Sequence, residues 1–367
     1  MKDHIQRILE CFSVEGELVS FKAYGSGHIN STKYITVKNK GKECEYILQR
    51  INKNVFKEPE KLMENYTSVT EFLRKRIIEN GGDPDRETIN VVKTKDGKAY
   101  AIDDQGEYWR LTYCVTNIKC YDKVERPEQF YDSAVAFGKF QYLLRDYPAS
   151  TLYETIENFH NTPVRFNNLM AAVKADKCGR AEEVRREIEF CKAREEFAGT
   201  LERAREAGEI PLRVTHNDTK LNNILFDAED GRALCVIDLD TIMPGYSVND
   251  FGDSIRFGAT TALEDEADLS KVKFDISLYE TYVKGFITGV KDGLTKREIE
   301  LLPIGAIMMT FECGMRFLTD YLEGDLYFKT SREKHNLDRA RNQFKLMEEM
   351  EANLDEMTRI VNKYSQK

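Results

Sequence analysis

The stretch Val214-Thr215-His216-Asn217-Asp218-Thr219-Lys220-Leu221-Asn222-Asn223-Ile224-Leu225-Phe226, followed shortly by Val236-Ile237-Asp238-Leu239-Asp240, is the most informative part of this chain. A short β-prone run ends in a polar loop that presents Asp218, with Lys220 and Asn223 just beyond it. Asp227-Ala228-Glu229-Asp230-Gly231 separates the β-prone runs 223–226 and 234–237, which reads as a hairpin. The hairpin returns the chain so that Asp238 can lie near Asn223. These residue types suit one chemistry. A carboxylate can accept a hydroxyl proton, and a carboxamide oxygen with a second carboxylate can hold a hard cation such as Mg²⁺. A nearby ammonium balances developing charge. Phosphoryl transfer uses this set of parts. The competing reading is a polar loop with structural Asp and Asn residues, which would not require spacing, residue type and hairpin to agree.

Upstream, the first ~115 residues have the punctuation of a sheet. Phe21–Tyr24, Lys33–Val37 and Tyr46–Leu48 are short β-prone runs set off by Gly25, Gly27 and Gly41. Leu62, Tyr66, Val69, Phe72 and Leu73 mark one face of a helix over 59–76, with Pro59 in its first turn. Ile89–Thr94 and Lys98–Ile102 flank Asp96-Gly97, a hairpin signal, and 109–115 reads as a further strand. Downstream the chain is mainly helical, with helical patterns over 129–146, 181–207, 278–287, 296–322 and 339–363. The expected class is α+β in two parts: residues 1–116, a small antiparallel-sheet lobe, and residues 117–367, a larger and mainly helical lobe.

Composition narrows the function classes. The 367 residues carry a net charge of −9, which opposes nonspecific binding to nucleic acid. The content of 41% apolar and 11% aromatic residues suits a globular protein rather than a disordered one. None of the eight cysteines forms a C-x-x-C pair, so the chain has no zinc-ribbon pattern. Scattered thiols fit a reducing, cytoplasmic setting. The N-terminus lacks the apolar core of a signal peptide, and Leu301–Phe311 is too short to span a membrane. The expectation is a cytoplasmic protein with no nucleic-acid, membrane or protein partner implied.

His216-x-Asp218-(x)4-Asn223 resembles the catalytic loop of the aminoglycoside phosphotransferase and choline kinase superfamily, and Asp238 resembles the metal-binding Asp that follows it. The blocks 212–225, 237–245, 250–259, 262–266, 312–318 and 320–325 look like the N-acetylhexosamine 1-kinases within that superfamily. The resemblance implies a bilobal protein-kinase-like fold with ATP between the lobes. It also implies Mg²⁺-dependent phosphorylation of N-acetylglucosamine and N-acetylgalactosamine at the anomeric hydroxyl. By it, Asp218 accepts or orients the C1 hydroxyl proton, and Asn223 and Asp238 bind Mg²⁺. Asp240 either holds a second ion or accepts a hydrogen bond behind the metal. Lys220 either neutralises the transferred phosphoryl group or pairs with a neighbouring carboxylate. His216 braces the loop through a backbone hydrogen bond, and Asp253 braces it from behind.

The same resemblance places Gly25 and Gly27 in a nucleotide loop and His28 at the sugar or phosphate, although two glycines also suit an ordinary hairpin. Tyr113 and Val115 fall in the hinge that meets adenine. Arg316 and Tyr327 become sugar contacts, with Glu312 and Asp320 orienting Arg316 from the same helical face. One departure stands out: Gln49 occupies the strand position where kinases carry a phosphate-pairing Lys. Acceptors such as choline, homoserine or an aminoglycoside are the alternatives within the superfamily. A catalytically silent binding module is the alternative outside it, supported only by Gln49.

Overall fold

A computed structural model describes residues 2–25 and 29–366. The expected nucleotide-loop Gly27 and sugar-contact His28 lie outside the described residues. The chain forms two compact units. The first comprises Met1–Lys119, Thr151–Glu157 and Leu225–Met243; the second comprises Cys120–Ser150, Asn158–Ile224 and Pro244–Lys367. The chain first leaves the small unit after Lys119, and two later segments return to it.

The first unit is built on an antiparallel sheet of β1 (Glu17–Ala23), β2 (Ser31–Asn39), β3 (Lys42–Arg50), β4 (Val91–Val92), β5 (Ala101–Ile102) and β6 (Tyr108–Tyr113). The order is β1-β2-β3-β6-β4, with β5 also on β6. Alternation sends Ile35, Val37, Tyr46, Leu48, Trp109 and Leu111 into one core, closed by Ile5, Ile8 and Leu9 of the Lys2–Leu9 helix. On the other face Thr32, Gln49 and Arg110 form a row, because Thr32 pairs with Gln49 and Gln49 with Arg110. The Pro59–Glu79 helix buries Leu62, Tyr66, Val69 and Leu73 as its spacing predicts.

The Asp96-Gly97 turn forms, with the Gly97 N–H donating to the Thr94 carbonyl at 2.9 Å. Its flanks do not make the expected hairpin. β4 meets Leu111 and Thr112 while β5 meets Tyr108 and Trp109, so both lie end to end along β6 instead of beside each other. The hairpin between Phe226 and Leu234 does form, from strands Ile224–Asp227 and Ala233–Val236.

The second unit packs helices around Leu302–Glu323, which is buried along most of its length. The helical pattern over 296–322 divides at Leu301, where Pro303 opens the next helix. The pattern over 339–363 divides at Asn353 into His335–Ala352 and Leu354–Ser365. The charged run 181–207 is a chain of short helical pieces rather than one helix. Ser247–Gly258 is a helix the polar sequence concealed, because it buries Asn249, Asp250 and Asp253 along with its apolar residues. Its Gly252 sits against Gly305, where a Cβ would stand 2.2 Å from the Gly305 carbonyl oxygen, so only glycine permits this crossing. That close crossing fixes the helix carrying Asp250 and Asp253. Among the described residues, no helix is long and apolar enough to cross a membrane.

Candidate active site

In the second unit, strand Arg213–Thr215 ends in the loop that presents Asp218. Asn217 takes the left-handed conformation, with φ 65°. Asn tolerates this better than most residues, and the loop is clamped in place from below. The two carboxylate oxygens of Asp250 accept the His216 and Asn217 backbone N–H groups, each at 2.8 Å. The Gln141 amide donates to Asp250 at 2.7 Å. Asp253 accepts the Thr219 N–H at 3.0 Å, and the Ser254 hydroxyl donates to the Thr219 carbonyl at 2.7 Å. His216 is fully buried, edge-on to Phe137 and Phe140, and its Nδ1 accepts the Asp218 N–H at 3.2 Å. His216 therefore braces the loop, as does Asp253. The Asp250 clamp was not anticipated.

Burial pushes the Asp250 carboxyl above its ordinary range. Burial acts the same way on Asp253, but Arg256 and Lys220 outweigh it and hold that carboxyl below its ordinary range.

Above this platform stand the side chains expected to be reactive. Lys220 Nζ lies 2.6 Å from Asp218 Oδ1. Asn223 Nδ2 donates to the Asp218 carbonyl at 2.7 Å and lies 3.3 Å from Asp218 Oδ2. Asp218 remains 27% exposed and Lys220 35%. Burial pulls Lys220 down, but Asp218 and Asp253 more than compensate, so its pKa is raised and the ammonium persists. With the amide nitrogen of Asn223 turned to Asp218, those bonds leave its Oδ1 for a hard cation. This oxygen donor fits Mg²⁺.

The residues expected at the acceptor form a second group in this unit. Glu312, fully buried, accepts from His160 Nδ1 at 2.7 Å and from the Thr162 hydroxyl at 2.8 Å. His160 Nε2 faces the Asn217 carbonyl at 3.2 Å, which links this group to the Asp218 loop. Burial works against the Glu312 charge, but His160 and Arg316 hold its carboxyl below the usual range. Asp320 accepts three backbone N–H groups, from Leu326, Tyr327 and Phe328, at 2.8–2.9 Å. It thus fixes the turn that carries Tyr327, which is 65% exposed.

The expected orientation of Arg316 by Glu312 and Asp320 is not found: neither forms an ion pair with Arg316 among the described residues, because each is taken up elsewhere. Arg316 instead lies over the rings of Phe159 and Phe328, 5.3 and 5.6 Å from their centroids. Its charge is also felt by the half-buried Arg165, whose own pKa is lowered by burial and by Arg316.

In the first unit, the row across the sheet continues as a polar chain. Gln49 donates to the Thr32 hydroxyl at 3.0 Å and accepts from Arg110 Nε at 2.9 Å. Both guanidinium ends of Arg110 engage the Asp240 carboxylate, Nη2 at 3.0 Å from Oδ2. The Asn30 amide donates to the same carboxylate. Arg110 is 1% exposed and lies 4.3 Å from the Tyr66 ring centroid. Burial alone would lower its pKa, yet Asp240 beside it raises the net value.

Asp238, two residues before Asp240, is exposed and left-handed, with φ 60° and ψ 53°. Tyr113 is exposed and packs on Tyr46, whereas Val115 is buried against Leu225 and Cys235. Gly25 adopts φ 78°, a conformation that favours glycine. Arg110 was missed at the sequence level. Its one signal was a charge between Trp109 and Leu111 in an otherwise apolar strand.

Residues 20–282 match the model of the APH family, described as the phosphotransferase enzyme family. The chain belongs to that family. Solved structures share its fold. An aminoglycoside phosphotransferase from Alicyclobacillus acidocaldarius matches with a TM-score of 0.60 at 14% identity, covering 98% of this chain and 96% of that one. A choline kinase from Cryptosporidium parvum matches at 0.58 and 12% identity over 100% of both chains. A microcompartment-associated aminopropanol kinase matches at 0.58 and 13% identity, covering 96% and 98%. The chain is thus a small-molecule phosphotransferase with a protein-kinase-like α+β fold, of a family whose phosphoryl donor is ATP with Mg²⁺.

Proposed function

We propose that this phosphotransferase acts on N-acetylhexosamines, transferring the γ-phosphoryl group of ATP to the anomeric oxygen to give the sugar 1-phosphate and ADP. The observation that carries the reaction type is Asp218, partly exposed, paired with Lys220 and Asn223 on a loop clamped by Asp250 and Asp253. Asp218 orients the C1 hydroxyl and takes its proton as the O1–phosphorus bond forms and the bond to the departing ADP oxygen breaks. Lys220 places a cation beside that carboxylate, where it offsets charge on the transferred group. Asn223 and Asp238 are the proposed Mg²⁺ ligands; Mg²⁺, when bound, neutralises phosphate charge. The Arg110 and Asn30 bonds to Asp240 favour the second of its two readings, as an acceptor of hydrogen bonds. Gly25, Gly27, Gln49, Tyr113 and Val115 belong to the proposed nucleotide side.

The sugar reading draws on the resemblance of blocks 312–318 and 320–325, and on the character of the group around Arg316. A guanidinium that forms no ion pair with a carboxylate among the described residues, a tyrosine whose backbone is fixed by Asp320 and nearby phenyl rings offer directional donors with apolar surface. A hydroxyl- and acetamide-bearing ring needs both. A polycationic aminoglycoside would meet repulsion from Arg316 and Arg165. His28 is proposed as a further sugar contact, and the reaction as a cytoplasmic one.

The test is ³¹P NMR of the purified protein with ATP, Mg²⁺ and separate acceptors: both N-acetylhexosamines, glucose, galactose, choline and an aminoglycoside. An anomeric sugar-phosphate signal from the N-acetylhexosamines is expected. Phosphorylation of a different acceptor alone would overturn the sugar assignment and leave the phosphotransferase chemistry standing.

A further inference from the structure

We propose that Arg110 is a positioning residue for Asp238, acting through the carboxylate of Asp240. The proposal rests on the phosphotransferase reading but not on the identity of the acceptor. Asp238 and Asp240 lie in one tight turn, with Leu239–Thr241 forming a single 3₁₀ turn. A left-handed Asp persists only where its surroundings hold it. Those surroundings are specific. The Arg110 guanidinium grips Asp240 with both ends from strand β6, and Asn30, at the entry to β2, adds a third hydrogen bond. Asn30 is itself held by the Asn52 N–H at 2.9 Å. From the Pro59–Glu79 helix, Asn65 Nδ2 donates to the Ile242 carbonyl at 3.0 Å, pinning the far side of the same turn.

Arg110 cannot act by touching phosphate. It is almost wholly buried between the Tyr66 ring and Asp240, and its Nε is taken by Gln49. The charge missing at position 49 of β3 therefore reappears one strand away with a different job. It is used inside the protein, to fix the turn that presents Asp238. Groups that orient a metal ligand from behind are typically worth about 10–100-fold in metal affinity.

The test is calorimetric titration of Mn²⁺·ADP into the full chain, with no acceptor present, for the wild type, Arg110→Lys, Asp240→Asn and Asn30→Ala. Arg110→Lys keeps the charge but loses the two-pronged grip. The first two variants should weaken Mn²⁺·ADP roughly 10-fold or more, and Asn30→Ala by a few-fold, with metal-free ADP affinity little changed. Half-saturating Mg²⁺ in turnover should rise in the same order. A lowered melting temperature with an unchanged Mn²⁺·ADP constant would reduce Arg110 to a structural ion pair and overturn the proposal. If the two buried variants fail to fold, an unchanged constant in Asn30→Ala overturns it alone. A wild type that binds no Mn²⁺·ADP would instead overturn the phosphotransferase reading beneath it.

Discussion

The Asp218 loop of the second unit and the charged turn of the first are held by opposite means. Around Asp218, buried carboxylates capture backbone: Asp250 and Asp253 together accept three main-chain N–H groups from residues 216–219. Around Asp238, side chain grips side chain, as Arg110, Asn30 and Gln49 converge on one carboxylate and its partner. A backbone clamp tolerates variation in the side chains it holds. A side-chain grip depends on each member. The difference indicates where sequence is free to vary and where a single exchange should be felt.

The largest effect should come from the reactive carboxylate. Asp218→Asn is expected to lower turnover by roughly 10²–10⁴-fold, the usual worth of positioned acid–base catalysis, while ADP binding measured calorimetrically stays near that of the wild type. Near-normal turnover would remove Asp218 from its role.

Next, Arg316→Ala should reduce kcat/KM for the acceptor about 10–100-fold, in line with about 1.5–3 kcal/mol for a hydrogen bond from a charged group. The KM for ATP should change little. Equal loss on both substrates would place Arg316 in the scaffold.

A sharper probe of the side-chain grip is Gln49→Lys, which restores the residue kinases usually carry. In this setting it removes the acceptor for Arg110 Nε and sets a second cation beside the first. Unfolding free energy should fall by about 1–3 kcal/mol, and turnover should fall rather than rise. Higher turnover would show that the row across the sheet is not a closed polar chain.

The smallest effect concerns a carboxylate that clamps nothing. Among the described residues Glu202 Oε2 is buried without a hydrogen-bond partner, and burial raises the pKa of the group to about 7. Because the folded value lies above the unfolded one, the group favours the folded state below the unfolded pKa. That advantage is lost as pH rises through about 7. Glu202→Gln should therefore stabilise the protein at pH 8 relative to the wild type by about 1–2 kcal/mol, after allowance for partial solvent screening. The gain should vanish near pH 5. A difference independent of pH, read by denaturant unfolding, would assign the effect to packing.

The loop at 216–223 was legible because its chemistry is compressed into eight residues, with the hairpin signal immediately after. His216 and Asp253 as braces could be read for the same reason, since both lie near the loop in sequence or on the next recognisable block. The rest depends on partners far along the chain. Arg110 meets Asp240 across 130 positions, and His160 meets Glu312 across 152. Strand register sets the other partner of Arg110: Gln49 faces it because β3 and β6 pair as they do, and no local pattern encodes that register. The Ser247–Gly258 helix escaped notice because its buried face is polar, which defeats a search for apolar periodicity. The spacing of Glu312, Arg316 and Asp320 misled for a related reason: residues on one helical face need not pair when better partners lie across the core, as Thr162 and His160 do for Glu312.

The most direct test sets the two regions side by side, measuring turnover and Mn²⁺·ADP affinity in both Asp218→Asn and Arg110→Lys. The expected result is a crossed pattern, in which Asp218→Asn loses turnover but keeps Mn²⁺·ADP, and Arg110→Lys loses Mn²⁺·ADP affinity. Parallel losses of both properties in both variants would contradict the division of labour between the clamped loop and the gripped turn.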